Sequence, residues 1–251
     1  MEEKTLDSLT ILSLRREDGG TNLPFTAFDL FDGIYDLFGS IRYLTLTDID
    51  LKRSGPYPLW EADEEYPDWK NERVHFKACT AGVIDAYSTH SPGVDQELVF
   101  EHCNFYGLEY ALPRTPHLTL KNLNAKSLEI AIQEGDAIKM AFEDCPELTD
   151  KVILALLKED PEDLLLKQPN LTDLRIHGCP RVSVKALKKV VSGRQKHHLA
   201  TKEMWRDIYR SDEDCHAPPL TSLILSGKNR KSVSNAMRGW FEANLEEFLE
   251  C

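Results

Sequence analysis

Pairs of apolar residues two positions apart recur along the chain, and most are followed by apolar residues spaced three to four apart. The stretch "IKMAFEDCPELTDKVILALL" sets Met140 beside Phe142 and then runs into Val152, Ile153 and Leu156. The stretch "LTDLRIHGCPRVSVKALKKVV" repeats the order with Leu174, Ile176, Val182, Ala186, Leu187 and Val190. A period of two marks one face of a strand, and a period of three to four marks one face of a helix. Each unit therefore reads as a strand, a turn and a helix. Further strand patterns are Leu9, Leu12 and Leu14; Ile41, Leu44 and Leu46; Val74, Phe76 and Cys79; Leu98, Phe100 and Cys103; Leu118, Leu120 and Leu123; and Leu220, Leu223 and Leu225.

The helical stretches carry end signals. Ala27, Leu30, Phe31, Ile34 and Phe38 define one helix face. Asp150 is a candidate N-cap for the helix that follows it. Ser183 is another, with Gly193 as a candidate stop. Val233, Met237, Trp240, Phe241 and Phe248 predict a C-terminal capping helix at about 233–250. Two insertions interrupt the pattern. Residues 51–71 hold Tyr57, Trp60, Tyr66 and Trp69, and their aromatic rings are expected to cover an edge of the fold. Residues 193–219 are polar, with one short helix expected around Thr201–Tyr209.

Two of the units share a tighter register, apolar-x-apolar-x-x-Cys-Pro-x-apolar-Thr/Ser. Cys145-Pro146 and Cys179-Pro180 occupy it, and Cys79 and Cys103 sit three residues after a strand apolar in the same way. This register resembles the cysteine-containing subclass of leucine-rich repeats. Residues 169–187, "PNLTDLRIHGCPRVSVKAL", look especially like the repeat region of fungal F-box substrate adaptors. The resemblance implies a single α/β domain over 1–251, a curved right-handed βα superhelix with a parallel concave sheet and helices on the convex side. It also implies a non-enzymatic protein-recognition module, the substrate-binding part of an F-box-type ubiquitin-ligase adaptor, although no F-box occurs in this chain. The repeats are irregular: successive strand positions lie from 20 residues apart (Phe100 to Leu120) to 49 (Ile176 to Leu225).

Charge narrows the range of partners. Thirty Lys and Arg against 42 Asp and Glu leave a net charge of −12. Sequence-independent binding to nucleic acid or to an anionic membrane needs a basic surface, so neither is expected. The start, "MEEKTLDSLT", lacks the basic and apolar regions of a signal peptide. An intracellular protein, cytoplasmic or nuclear, with reduced thiols follows as the expectation.

Chemistry-bearing motifs are few. No phosphate-binding glycine loop, nucleophile elbow or His-Glu-x-x-His sequence occurs, and no cofactor is expected. The alternative to a recognition module is an enzyme, or a metal- or small-ligand-binding protein, using His197, His198, Cys215 and His216 of the second insertion. Cys103 follows His102, but its repeat position points it inward, away from catalysis. The residues flanking each strand apolar face the concave side, in three columns that open on Ile11, Ser13 and Arg15 in the first strand. They contain six basic and four acidic side chains, a local excess over a chain of −12. Tyr43, Arg73, His75 and Lys77, with Lys121, Lys139, Arg175 and His177, are the candidate partner-binding residues. An acidic or phosphorylated protein segment is the partner they suggest.

Overall fold

The structure, a computed structural model, describes residues 5–14, 26–38, 40–52, 71–91, 93–159, 166–209, 218–227 and 232–251. Among these residues it is α/β, with nine strands whose order in the sheet follows the chain. The chain divides into two compact units, Met1–Pro116 and His117–Cys251. The boundary falls within strand β5 (Thr115–Lys121).

The first unit contains β1 (Thr5–Leu12), α1 (Ala27–Phe38), β2 (Ser40–Thr47), β3 (Arg73–Lys77), α2 (Ala81–His90) and β4 (Glu97–Glu101). Its strands pair in parallel, and Leu44, Val74 and Leu98 lie side by side, as do Leu46, Phe76 and Phe100. All six are at most 1% exposed. Phe76 stacks on Phe100 and meets Tyr87 of α2 edge-on, each at 5.3 Å. In the interior, the Tyr87 hydroxyl donates to Asn71 Oδ1 (2.8 Å), and Asn71 Nδ2 donates to the Ile41 carbonyl. This fixes the start of β3 against β2. Helix α1 begins with a reciprocal cap, in which Thr26 N–H donates to Asp29 and Asp29 N–H to the Thr26 hydroxyl.

The second unit contains α3 (Ala125–Glu134), β6 (Ala137–Glu143), α4 (Asp150–Ile153) continued by a 3₁₀ turn (Leu154–Leu157), β7 (Asp173–His177), α5 (Val184–Tyr209), β8 (Ser222–Ser226), α6 (Asn235–Asn244) and β9 (Glu247–Glu250). Here Met140, Leu174 and Leu223 form one core row, and Phe142, Ile176 and Leu225 the next. The expected alternation of buried and outward residues holds on β2, β3, β4, β6 and β7.

One turn geometry recurs and explains the cysteines. Ser13, Asp48, Ala78, His102, Asn122 and Asp144 each follow a strand with φ between 49° and 59°, and Gly178 follows β7 at 63°. The amide of this left-handed residue donates to the end of the next strand: Asp48 to Lys77 O (2.8 Å), Asp144 to His177 O (2.9 Å), Gly178 to Ser226 O (3.1 Å). The reversal turns the following side chain inward. Ile49, Cys79, Cys103, Leu123, Cys145 and Cys179 fill that place, all at most 3% exposed. After β8 the left-handed residue is Gly227 (φ 110°), where a β-carbon would lie 2.5 Å from the Gly178 nitrogen. Only glycine fits there.

Four expectations are corrected. In β1, Ile11 aligns with Leu46, while Leu12 lies on the open side, 62% exposed. The doublet Ile11-Leu12 offers two registers one residue apart, which present opposite faces. Arg15 lies outside the described residues. Second, Gly193 does not stop a helix. Helix α5 runs through it to Tyr209, because the missing side chain lets the helix approach Leu157, which a β-carbon would meet at 2.7 Å. The second insertion is therefore largely helical, and residues 210–217 lie outside the described residues. Third, Thr149, not Asp150, caps α4; the Asp150 carboxylate instead accepts from the amide (2.6 Å) and hydroxyl (2.7 Å) of Ser183, the residue whose hydroxyl caps α5. Fourth, the C-terminal helix ends at Asn244, and 247–250 form strand β9 beside β8. Phe248 stacks on Phe241 at 4.9 Å from that strand. Most of the aromatic insertion, residues 53–70, lies outside the described residues.

Candidate functional site

In each unit one sheet face carries the buried rows and the other presents three columns of side chains. On the first unit, Tyr43, Arg73 and Glu97 form one row, Thr45, His75 and Val99 the next, and Thr47, Lys77 and Glu101 the third. Tyr43, Arg73, His75 and Lys77 are thus brought together as expected. Their cationic character is not free, however. Glu101 lies 3.0 Å from Lys77 Nζ and 3.3 Å from His75 Nε2, and Glu97 lies 3.9 Å from Arg73 Nε. The Tyr43 hydroxyl donates to Glu72 at 3.4 Å. Glu72 also receives two hydrogen bonds from Arg42 (2.7 and 3.2 Å), and that guanidinium holds its carboxyl below the usual range.

On the second unit the rows are Lys139, Asp173, Ser222 and Glu247; Ala141, Arg175, Ile224 and Leu249; and Glu143, His177 and Ser226. Lys121 Nζ lies 3.7 Å from Glu143. His177 Nδ1 lies 2.9 Å from Ser226 Oγ, and its Nε2 is 4.0 Å from Asp144. Arg175 is exposed and makes no ion pair among the described residues.

Register alters the charge count. With Arg15 outside the described residues and Glu247 added by β9, five basic residues (Arg73, Lys77, Lys121, Lys139, Arg175) face five acidic ones (Glu97, Glu101, Glu143, Asp173, Glu247) on these rows. Among the described residues these rows carry no excess of positive charge. Glu101 was visible as a column residue, but its place between Lys77 and His75 depends on strand register.

The cysteines sit behind these faces. Cys79 Sγ lies 3.4 Å from Leu46 O, Cys103 Sγ 3.2 Å from Phe76 O, Cys145 Sγ 3.4 Å from Leu120 O and Cys179 Sγ 3.7 Å from Phe142 O. Each thiol thus packs beneath the preceding strand. Burial first, then the neighbouring Cys79 thiol, pushes the Cys103 thiol up, and the neighbouring Cys145 thiol followed by burial does so for Cys179. All four are free thiols. His102 is turned outward by its left-handed backbone, with its side chain about half exposed, so it does not pair with Cys103. A brief iodoacetamide pulse followed by peptide mapping should label exposed Cys251 and spare Cys79, Cys103, Cys145 and Cys179 until the protein is denatured. Labelling of any of the four at the rate of Cys251 contradicts their structural role.

A pocket of about 460 Å³ opens in the second unit between α5 and the entry to β8, lined by Gln195, His198, Leu199, Pro219, Thr221 and Asn244. It includes His198 of the alternative site. Cys215 and His216 lie outside the described residues, and the described residues hold no cluster of three metal-binding side chains. No helix among the described residues is long and apolar enough to cross a membrane. No protein-family model, curated protein or solved structure matches this chain.

Proposed function

We propose that the chain is a protein-recognition module of leucine-rich-repeat type, binding a protein partner on the open face of its parallel strands. The observation that carries this reading is the recurrent unit itself: strand, left-handed residue, inward Cys or aliphatic residue, and in most units a helix. It commits one face of the strands to the core and leaves the other presenting short, regular rows of mostly polar side chains. Such rows form a surface suited to extended contact with a protein segment. The role of substrate-binding part of a ubiquitin-ligase adaptor rests on the resemblance of "CPELTD" and "LRIHGCPRVSV" alone.

The pairing of Arg73 and Lys77 with Glu97 and Glu101 changes which substitutions test the reading. Alanine at Arg73 or Lys77 removes exposed pairs, which are worth roughly 0–1 kcal/mol. A bulky charge placed within a row is the sharper probe. Tagged chains carrying Thr45→Arg or Ala141→Arg should recover fewer partners from cell extract than the unchanged chain. A control substitution on an exposed helix residue, Lys185→Glu, should leave recovery as it was. Recovery unaffected by both row substitutions would reject the open face as the binding surface.

A further inference from the structure

We propose that the row Ala141, Arg175, Ile224 and Leu249 in the second unit anchors the partner, and that it takes a protein segment bearing an aspartate or glutamate beside apolar side chains. This rests on the reading that the open face binds protein and adds what it binds.

The four residues lie in register on neighbouring strands, β6 to β9. Adjacent strands are about 4.8 Å apart, so the row spans roughly 14 Å. Arg175 is exposed, Leu249 is 44% exposed, and Ile224 is half-buried between them. An aliphatic pair, one member exposed and one half-buried, beside a guanidinium is the composition of an anchor point: apolar contact area and a directional donor in one patch.

Arg175 differs from the other open-face cations in its surroundings. Lys77 and Arg73 have carboxylates on the next strand at 3.0 and 3.9 Å, and Lys121 has one at 3.7 Å. Lys139 stands directly opposite Asp173. Arg175 stands between Ala141 and Ile224 instead. The nearest acids on its face are otherwise engaged: Glu143 with Lys121, and Asp173 as acceptor from the Thr172 hydroxyl at 2.6 Å. Its donors therefore stand ready for an acceptor supplied from outside.

A guanidinium binds a carboxylate through two parallel hydrogen bonds. One unpaired guanidinium between apolar neighbours matches a single negative charge. A phosphate, with nearly two charges, would call for a second cation at the same point; the row itself holds only Arg175, and the cation of the next row, Lys139, stands opposite Asp173. Apolar residues flanking the acid in the partner would cover Ile224 and Leu249, excluding water from the ion pair and strengthening it.

The test uses the full chain against a phage-displayed library of random heptapeptides. Recovered sequences are made as fluorescent peptides and titrated by anisotropy. The expected peptides carry Asp or Glu within two positions of Leu, Ile, Val or Phe. Arg175→Glu and Ile224→Asp should each weaken them about tenfold or more. Exchanging the peptide acid for lysine should restore binding to the Arg175→Glu chain, which separates lost attraction from a damaged fold. Peptides weakened by Thr45→Arg in the first unit but bound equally by wild type and Arg175→Glu would overturn this inference and leave the recognition reading standing. Peptides that follow Arg175→Glu but carry a phosphate-like acidic cluster and no apolar residue would overturn the stated chemistry. Peptides insensitive to every open-face substitution, or no binding peptide at all, would overturn both.

Discussion

Replacing Arg194 with alanine is expected to lower stability by about 3–5 kcal/mol. Arg194 lies on α5, only 1% exposed. Its guanidinium donates to Gln168 O at 3.0 Å and Leu171 O at 3.1 Å, with longer contacts to the carbonyls of Leu156, Lys167 and Pro169. The turn leading into β7 thus has its carbonyls gathered on one side chain. Charged hydrogen bonds of good geometry contribute about 1.5–3 kcal/mol each, and removal leaves buried acceptors without donors. No carboxylate shares the site among these contacts, so burial acts unopposed and lowers the guanidinium pKa to about 10. Because the folded value lies below the ordinary one, the group carries a charge in both states under about pH 9 and adds no pH dependence there. Stability from this group would rise with pH only above about 10, where the unfolded chain still holds the proton that the folded one releases. Urea unfolding at pH 7 of wild type, Arg194→Ala and Arg194→Met checks the argument. Methionine keeps most of the volume and none of the donors, so it should fall between the other two. Methionine as stable as arginine would mean that the carbonyls do not depend on Arg194.

The sequence made some of this fold legible and hid the rest for identifiable reasons. Met140, Phe142, Leu174 and Ile176 were readable because each strand keeps one strict alternation, and all four are at most 2% exposed. The open rows from Tyr43 to Ser226 followed from the same alternation. In β1 the alternation is ambiguous, since Ile11 and Leu12 are both apolar, and pairing with β2 decides between them. Gly193 was misread because its role is a contact with Leu157, distant in sequence, which no local signal reports. Strand β9 was hidden because Phe248, seven residues after Phe241, fits a helix face as well as a strand. For the candidate site, residue types were visible and their pairing was not. Lys77 reads as a free cation until β4 brings Glu101 to 3.0 Å. Arg175 gained significance by the opposite route, through neighbours that turned out to be Ala141 and Ile224.

Leu174→Ala should cost about 2–5 kcal/mol, while Arg175→Ala, one residue on, should cost within about 0.5 kcal/mol. The two side chains leave the same strand on opposite faces. Leu174 is fully buried between Met140 on β6 and Leu223 on β8, both also fully buried. Truncation removes three carbons from a row held on both sides by paired strands. The backbone hydrogen bonds of those strands keep the neighbours from closing the gap, so a cavity adds to the lost transfer energy. Arg175 projects from the other face into solvent and makes no ion pair among the described residues, so its loss removes little. Urea unfolding with an unchanged slope and a lowered midpoint for Leu174→Ala alone is the expected result. Equal, small shifts for both variants would mean that β7 is not packed between its neighbours. Losses of several kcal/mol for both would mean that the Arg175 face is also covered, which would remove the surface on which a partner is proposed to dock.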